Sequence, residues 1–324
     1  MSRPARGRGR SSERGRKGDV WIRHIVSEAE AGRPLQEVLI RSVGISRRML
    51  QRLTRTGGLL VNGRASYLKG PVRAGDVVAV RIAGEEDPGL SPVPMELAIA
   101  FEDEHLLVVD KPAGLLVHPV RVQSEPTLAH GIIHHLLSGG VRRRVRPVHR
   151  LDRGTSGLLL VAKHAFAHQA LDRQLRKRRL RREYLALVHG ATLPSEGEID
   201  APIGPHPEDP NLRAVAVKGG DPALTRFRVL ERYTDAALLR LQLETGRTHQ
   251  IRVHLSHLGH PVIGDARYGG RRLPSGRQAL HAAYLSFRHP ISGNSIELHA
   301  PLPRELEDLK RQLREGSAEA ESQG

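Results

Sequence analysis

The chain has 324 residues, 39% of them apolar, which is enough for a large domain and a small one, each around its own core. It contains no cysteine, which excludes disulfides, thiolate catalysis and cysteine-based zinc or iron–sulfur centres, and fits a reducing, cytoplasmic setting. With 51 Lys and Arg against 35 Asp and Glu, the formal net charge is +16; cations that neutralise phosphates release counterions, so this excess points to a polyanionic partner.

Residues 1–18 are Arg, Gly and Ser with almost nothing apolar, and are expected to form a disordered basic arm. No apolar stretch follows them, so no signal peptide is read. No apolar run approaches the roughly 20 residues of a membrane span, and no membrane association is expected.

Residues 19–82 read as a small α/β unit. "RPLQEVLIRS" and "SRRMLQRLTRTG" carry apolar residues at helical spacing, while "GLLVNG" and "GDVVAVRI" read as short strands. Ser46 is a good N-cap for the second helix. That helix turns Met49, Leu50 and Leu53 to a core and places Arg47, Arg48, Arg52 and Arg55 close to one face. Its lack of any acid favours a phosphate-facing surface over a merely solvated one. "SRRMLQRLTRTGGLLVNG" followed by "VRAGDVV" resembles the S4 RNA-binding module, over about 50 residues.

Residues 83–96 are rich in Pro, Gly and acid and read as a linker. A second domain is expected over 97–314. "LAIAFEDEHLLVVDKPAGLLVHP" reads as strand, turn, strand, turn; "LLLVAK", "EYLALVHG" and "ALLRLQLET" as strands; "HAFAHQALDRQLRKR" as a helix. "GRTHQIRVHLSHLG" begins a helix, with His249, Arg252 and Leu255 at helical spacing. Strands and helices alternate too irregularly for a doubly wound fold, so the class is α+β with a mixed, mostly antiparallel sheet. A last helix is expected near Arg304 to Leu313, and 315–324 as a flexible tail.

Polar, glycine-rich clusters interrupt these elements: "DKPAGLLVHP", "HRLDRGTSG", "RREYLALVHG" and "TGRTHQIRVHLSHLGHPVIGD". Each alone reads as a turn; together in so basic a chain they suggest a site. His249, His254, His257 and His260 crowd one helix, yet no HExxH pattern is present and no carboxylate follows until Asp265. Hydrogen-bonding or core histidines are expected there rather than a metal site. "GGVRRRVRP" offers Arg142, Arg143 and Arg144 to a nucleic-acid backbone, and "DRQLRKRRLRREY" is a second basic run leading to Tyr184.

"HRLDRGTSG", with "KPAG" before it and "YLALVHG" and "GRTHQIRVHL" after it, strongly resembles the RluA family of RNA pseudouridine synthases. The S4-like unit in front resembles that family's bacterial large-subunit rRNA members. The resemblance runs from Arg33 to about Pro303. It implies isomerisation of uridine to pseudouridine with no cofactor or metal, on RNA, with large-subunit ribosomal RNA the expected substrate, by a monomer. By the same resemblance Asp152 is the catalytic aspartate, Tyr184 the active-site tyrosine, Arg247 the basic partner of the aspartate, and Arg150 the group that fills the space of the displaced base. Arg153 is assigned to phosphate. "RVQSEPTLAH" stands where relatives more often carry a glycine-rich link, and "GDARYGG" lacks a proline common before the tyrosine. The rival expectation is an inert RNA-binding or ribosome-assembly factor on the same scaffold, against which the presence of all three residues argues.

The residue types suit the chemistry. A carboxylate can attack the sugar or take a proton from it, and either role needs it ionised near neutral pH. An adjacent guanidinium favours that state. The base must leave its stack, and an aromatic ring can return part of the cost.

Overall fold

The computed structural model describes residues 18–120, 125–216 and 218–322. The basic arm, apart from Gly18, and the Arg121–Ser124 part of the divergent "RVQS" stretch lie outside the described residues. The chain divides into two compact units: one holds 18–87 with Gly140–Arg143 and His164–Phe166, and the other holds Pro88–Gly139, Arg144–Lys163 and the residues from Ala167 on.

The first unit is a four-stranded antiparallel sheet with helices. In chain order it runs β1 (Val20–Ile25), α1 (Leu35–Val38, continued by a wider π turn over Leu39–Val43), α2 (Arg47–Thr56), β2 (Leu59–Val61), β3 (Arg64–Ala65) and β4 (Val77–Ala83). The sheet order is β1-β4-β2-β3; β1 gave no clear sequence signal. The Ser46 hydroxyl caps α2 by accepting from the Met49 amide at 3.2 Å. Met49, Leu50 and Leu53 are buried with Leu35, Leu39, Val78 and Val80, each worth about 1.5–3 kcal/mol of transfer free energy. Arg47, Arg48, Arg52 and Arg55 are exposed on the opposite side. Arg52 also has an acid in reach, Glu86, at 3.7 Å.

The second unit is built on a ten-stranded mixed sheet: β5 (Ala98–Glu102), β6 (Leu106–Lys111), β7 (Arg146–Pro147), β8 (Ser156–Ala162), β9 (Arg181–His189), β10 (Glu196–Asp200), β13 (Leu224–Arg232), β14 (Ala236–Leu243), β15 (Leu280–Arg288) and β16 (Ser295–His299). A separate ribbon pairs β11 (Ile203–Pro205) with β12 (Arg213–Val215). The main path is β10-β13-β14-β9-β15-β8-β6-β5, with β16 on β15 and β7 on β8. Among the described residues only β15 and β8 pair in parallel. The helices are α3 (Leu128–Ser138), α4 (Ala165–Arg176), α5 (Gln250–His257) and α6 (Arg304–Ser322). The fold class is thus α+β, mostly antiparallel.

All seven residues of β8 are buried, as its unbroken apolar run requires of a strand covered on both faces. Leu158 and Leu160 pack with Leu106, Val108 and, from α4, Ala167 and Leu171. The helix α6 differs from expectation: it continues through Ser322 rather than stopping near Leu313. Its run "REGSAEAES" holds good helix formers on either side of one glycine, and Ser317 Oγ donates to the Leu313 carbonyl at 2.9 Å.

Candidate active site

Asp152 sits on the 148–155 loop that leads into β8. The Thr155 amide donates to the Asp152 carbonyl at 3.1 Å and closes a tight turn around it. The glycines of "DRGTSG" have a steric cause. A Cβ on Gly154 would lie 2.0 Å from Gln278 Oε1, and one on Gly157, at φ +111°, would lie 2.3 Å from the Ala282 carbonyl oxygen of β15. From below, the buried Lys111 ammonium donates to the carbonyls of Pro112 and Leu115 at 2.8 Å and of Arg153 at 3.2 Å. The Gly114 amide donates to the same Arg153 carbonyl at 2.8 Å. Lys111 therefore ties the "KPAG" turn to the loop that carries Asp152. Burial, and then the nearby Arg277, push its pKa down to about 7, with Asp152 opposing.

Tyr184 lies on β9, opposite Leu241 of β14 and Ala282 of β15. Between Ala282 and Tyr284 the β15 register slips, a bulge directly beside the tyrosine, a common device for re-aiming side chains next to active sites. The ring is buried, and burial raises the hydroxyl's pKa; Arg182 opposes the shift and Asp152 adds to it. The group stays a neutral phenol at physiological pH.

The third element is α5. His249, its N-cap, adopts left-handed backbone at φ +59°, ψ +19°, and the helix then carries Arg252 against the Asp152 loop. Arg252 Nη1 donates to Asp152 Oδ2 at 3.3 Å. Its Nε and Nη2 donate to the two oxygens of Asp265 at 2.6 and 2.9 Å, and its guanidinium carbon stands 4.7 Å from the Tyr268 ring centroid. Burial works against the Arg252 charge, but Asp265 and then Asp152 more than offset it and raise its pKa.

This corrects the expected pairing. Arg247 does not hold Asp152: its Nη1 faces Asp221 at 3.6 Å and its Nε donates to the Pro222 carbonyl at 3.1 Å. It precedes the helix, in the turn after β14, whereas Arg252 lies within it. Arg153 is not the partner either; it pairs with Glu125. A second correction concerns the arginine loop: Arg143 is buried and donates to the Gly18 carbonyl at 3.0 Å, so it is not offered to RNA. Arg142 and Arg144 are exposed.

Asp152 and Tyr184 line a cleft of about 640 Å³, together with Arg150, Arg176, Arg178, Arg182 and Arg247. Arg150 is exposed at its edge. The structure thus brings together Asp152, Tyr184, Arg150 and Arg247 of the expected set. Arg47, Arg48 and Arg52 belong to the other unit. Arg252, Asp265 and Lys111 were not singled out as site residues from sequence, although Arg252's place inside a helical pattern was visible.

The histidines are held by ordinary partners. His254 bonds Thr225 Oγ1 and the Ala201 carbonyl, both at 2.9 Å. His249 Nδ1 meets the Tyr268 hydroxyl at 2.8 Å, and His260 Nδ1 the His189 carbonyl at 2.9 Å. Among the described residues no group of three or more His, Asp or Glu is placed to hold a metal, and no helix is long and apolar enough to cross a membrane.

Comparison with known proteins points to one family. Residues 105–257 match the family model described as RNA pseudouridylate synthase. The uncharacterized RNA pseudouridine synthase YjbO of Bacillus subtilis is 44% identical, over 82% of this chain and 95% of that one. The ribosomal large subunit pseudouridine synthase D of Xanthomonas campestris is 40% identical, over 91% of this chain and 93% of that one. Among solved structures, human RNA pseudouridylate synthase domain containing 4 has a TM-score of 0.56 at 26% identity. The match covers 67% of this chain and 93% of the human one.

Proposed function

Because this chain belongs to the RluA family of RNA pseudouridine synthases, isomerases that turn uridine in RNA into pseudouridine, we propose that it acts on large-subunit ribosomal RNA with Asp152 as the catalytic carboxylate. The observation that carries the assignment of Asp152 is its ion pair with Arg252 in a recess that Tyr184 also lines. The rRNA reading is supported by the Xanthomonas relative, whose name gives that substrate class and which aligns over most of both chains.

The reaction breaks the N1–C1′ bond, turns the uracil and joins C5 to C1′; the C5 proton is lost to solvent and N1 gains one, so the net composition is unchanged and no cofactor is required. Arg252 holds the Asp152 carboxylate in place with a 3.3 Å contact, from which it attacks the sugar or takes its proton. Tyr184 stacks against the displaced base, which returns about 1–3 kcal/mol of the unstacking cost. Arg150, exposed at the cleft edge, takes the space the base vacates. Arg247, with its loose contact to an exposed acid, serves as an RNA-backbone cation. The first unit, with Arg47, Arg48 and Arg52 exposed on one helix, acts as an S4-like RNA-binding domain, and Arg142, Arg144 and Arg153 add phosphate contacts. The protein works as a cytoplasmic monomer.

The test is tritium release from 23S rRNA transcripts labelled at uridine C5. Asp152→Asn should keep the fold and RNA binding and lose turnover by about 10⁴-fold or more. Turnover at the wild-type rate in that variant sinks the catalytic assignment. Transcripts of 16S rRNA or tRNA that react better than 23S rRNA sink the substrate.

A further inference from the structure

We propose that Arg182 is an anion-binding centre in the cleft wall that takes one backbone phosphate of the RNA beside the target uridine; this rests on the RNA pseudouridine synthase reading. Arg182 is 94% buried, with only 6% of its surface exposed, yet among the described residues its Nε has no hydrogen-bond partner. Among the described residues its side chain makes one hydrogen bond, a long one from Nη2 to the Thr245 carbonyl at 3.3 Å. Among the described residues no carboxylate lies within ion-pair distance of it. The acids nearest in sequence and in the cleft wall are committed elsewhere. Glu183 points to the other face of β9 toward Arg240 at 3.8 Å, and Glu244 holds Arg226 at 2.8 Å and Arg178 at 3.7 Å.

A guanidinium taken out of water without a counter-charge is costly, and a neutral carbonyl does not offset it. The same logic selects the ligand. Uracil oxygens are neutral acceptors and would leave the charge uncompensated, whereas a phosphodiester brings one negative charge and two oxygens that suit the guanidinium fork. Side chains alternate along a strand, so Arg182 and Tyr184 share one face of β9 about 7 Å apart, and both line the cleft that holds Asp152. A single nucleotide spans that separation, with its base at Tyr184 and a flanking phosphate at Arg182. Buried wall and fixed turn make this a positioning contact for the nucleotide that reacts, in contrast to the exposed arginines, which bind backbone at large.

The full-length protein is measured on unmodified 23S rRNA transcript by filter binding and by tritium release, across ~50–200 mM KCl. Arg182→Gln should lower kcat/KM about 10-fold at low salt, mainly through KM, and make the log–log salt slope shallower by about 0.7–0.9, the value of one phosphate contact. Arg182→Lys, which keeps the charge, should retain the wild-type slope. A folded Arg182→Gln with an unchanged slope, or a Lys variant as shallow as the Gln one, overturns the proposal. If the Gln variant does not fold, wild-type enzyme on rRNA fragments with single neutral methylphosphonates flanking the modified uridine decides it: one linkage must be sensitive, and none being so overturns it. Absence of wild-type turnover on any RNA would instead count against the functional reading, while the binding slopes still judge Arg182.

Discussion

Arg252 stands between two aspartates and treats them differently: it grips Asp265 with two donors at 2.6 and 2.9 Å and reaches Asp152 with a third at 3.3 Å. Asp265 is fully enclosed and Asp152 opens to the cleft, with 2% and 27% of their side chains exposed. The buried acid therefore fixes the guanidinium, and the guanidinium in turn presents a charge to the acid that meets substrate. Tyr268 under the guanidinium completes the seat. Replacing Arg252 by Met should remove activity and destabilise the fold by about 3–5 kcal/mol, since two carboxylates lose their counter-charge and one of them is buried. Arg252→Lys should recover part of the stability but little turnover, because an ammonium cannot bind Asp265 with two parallel bonds and still reach Asp152. Urea denaturation alongside tritium release separates the two effects; a Lys variant with full turnover would refute the seating argument.

Arg247 should behave in the opposite way. Its side chain is 40% exposed and its acid partner Asp221 is 71% exposed, so the pair contributes little to the fold. Arg247→Gln should leave stability and kcat near wild type and raise KM about fivefold, the equivalent of about 1 kcal/mol lost from one backbone contact. A collapse of kcat in this variant, matching that of Arg252→Met, would restore Arg247 to the reacting group.

The two arginines show where sequence reading reaches its limit. "GRTHQIRVHL" places basic residues five apart, and both suit an aspartate's partner by type. Which one faces Asp152 depends on where the helix begins, and that start is set by His249 in left-handed backbone, not by a Ser, Thr, Asp or Asn that would mark it. The Ser46 cap of α2, by contrast, was readable and is present. Strand-forming runs such as "LLLVAK" and "EYLALVHG" declared themselves by composition. The pairing of β15 with β8 in parallel, which sets Gly157 against Ala282, is a long-range contact with no local signal. Arg143 failed for a similar reason: in sequence it is one of three equal arginines, and only the fold buries it on the Gly18 carbonyl.

Stability should fall on mild acidification, because several histidines are buried neutral. His281 accepts from Ser156 Oγ at 2.8 Å, and its Nε2 faces the Ala300 carbonyl at 3.3 Å. Burial pushes its pKa down to about 4. His149, also buried, is pushed down to about 3. The unfolded imidazole titrates near pH 6.5, so between 6.5 and 4 the unfolded chain binds more protons than the folded one, and folding weakens as pH drops through that window. His281 alone should cost about 2 kcal/mol at pH 5 relative to pH 7.5, and about 3 kcal/mol by pH 4. The contribution is fully present above pH 6.5. His281→Gln, which cannot titrate, should flatten the profile. Equal denaturation midpoints at pH 5 and 7.5 in the wild-type protein would contradict the assignment of neutral buried imidazoles.

His249 combines strain with a hydrogen bond, and the two can be separated. The Tyr268 hydroxyl accepts from the Arg213 amide at 3.0 Å and shares a hydrogen bond with His249 Nδ1 at 2.8 Å. Burial lowers the His249 pKa, with Asp152 opposing, so the ring is neutral at physiological pH and lines the same recess as Asp152 and Arg252. Left-handed backbone costs a non-glycine residue about 1–2 kcal/mol, and such strain survives where function requires the side chain. His249→Gly should therefore be nearly neutral in stability, the relieved strain offsetting the lost hydrogen bond of about 1 kcal/mol, yet it should lower kcat by opening the recess beside Asp152. Tyr268→Phe should do the reverse. It leaves the Arg213 amide and His249 Nδ1 without their partner, and should cost about 1–3 kcal/mol of stability with a smaller loss of kcat, because the ring still seats Arg252. Thermal melts and single-turnover rates on both variants check the pair, and a His249→Gly enzyme with wild-type turnover would reduce the histidine to a structural cap.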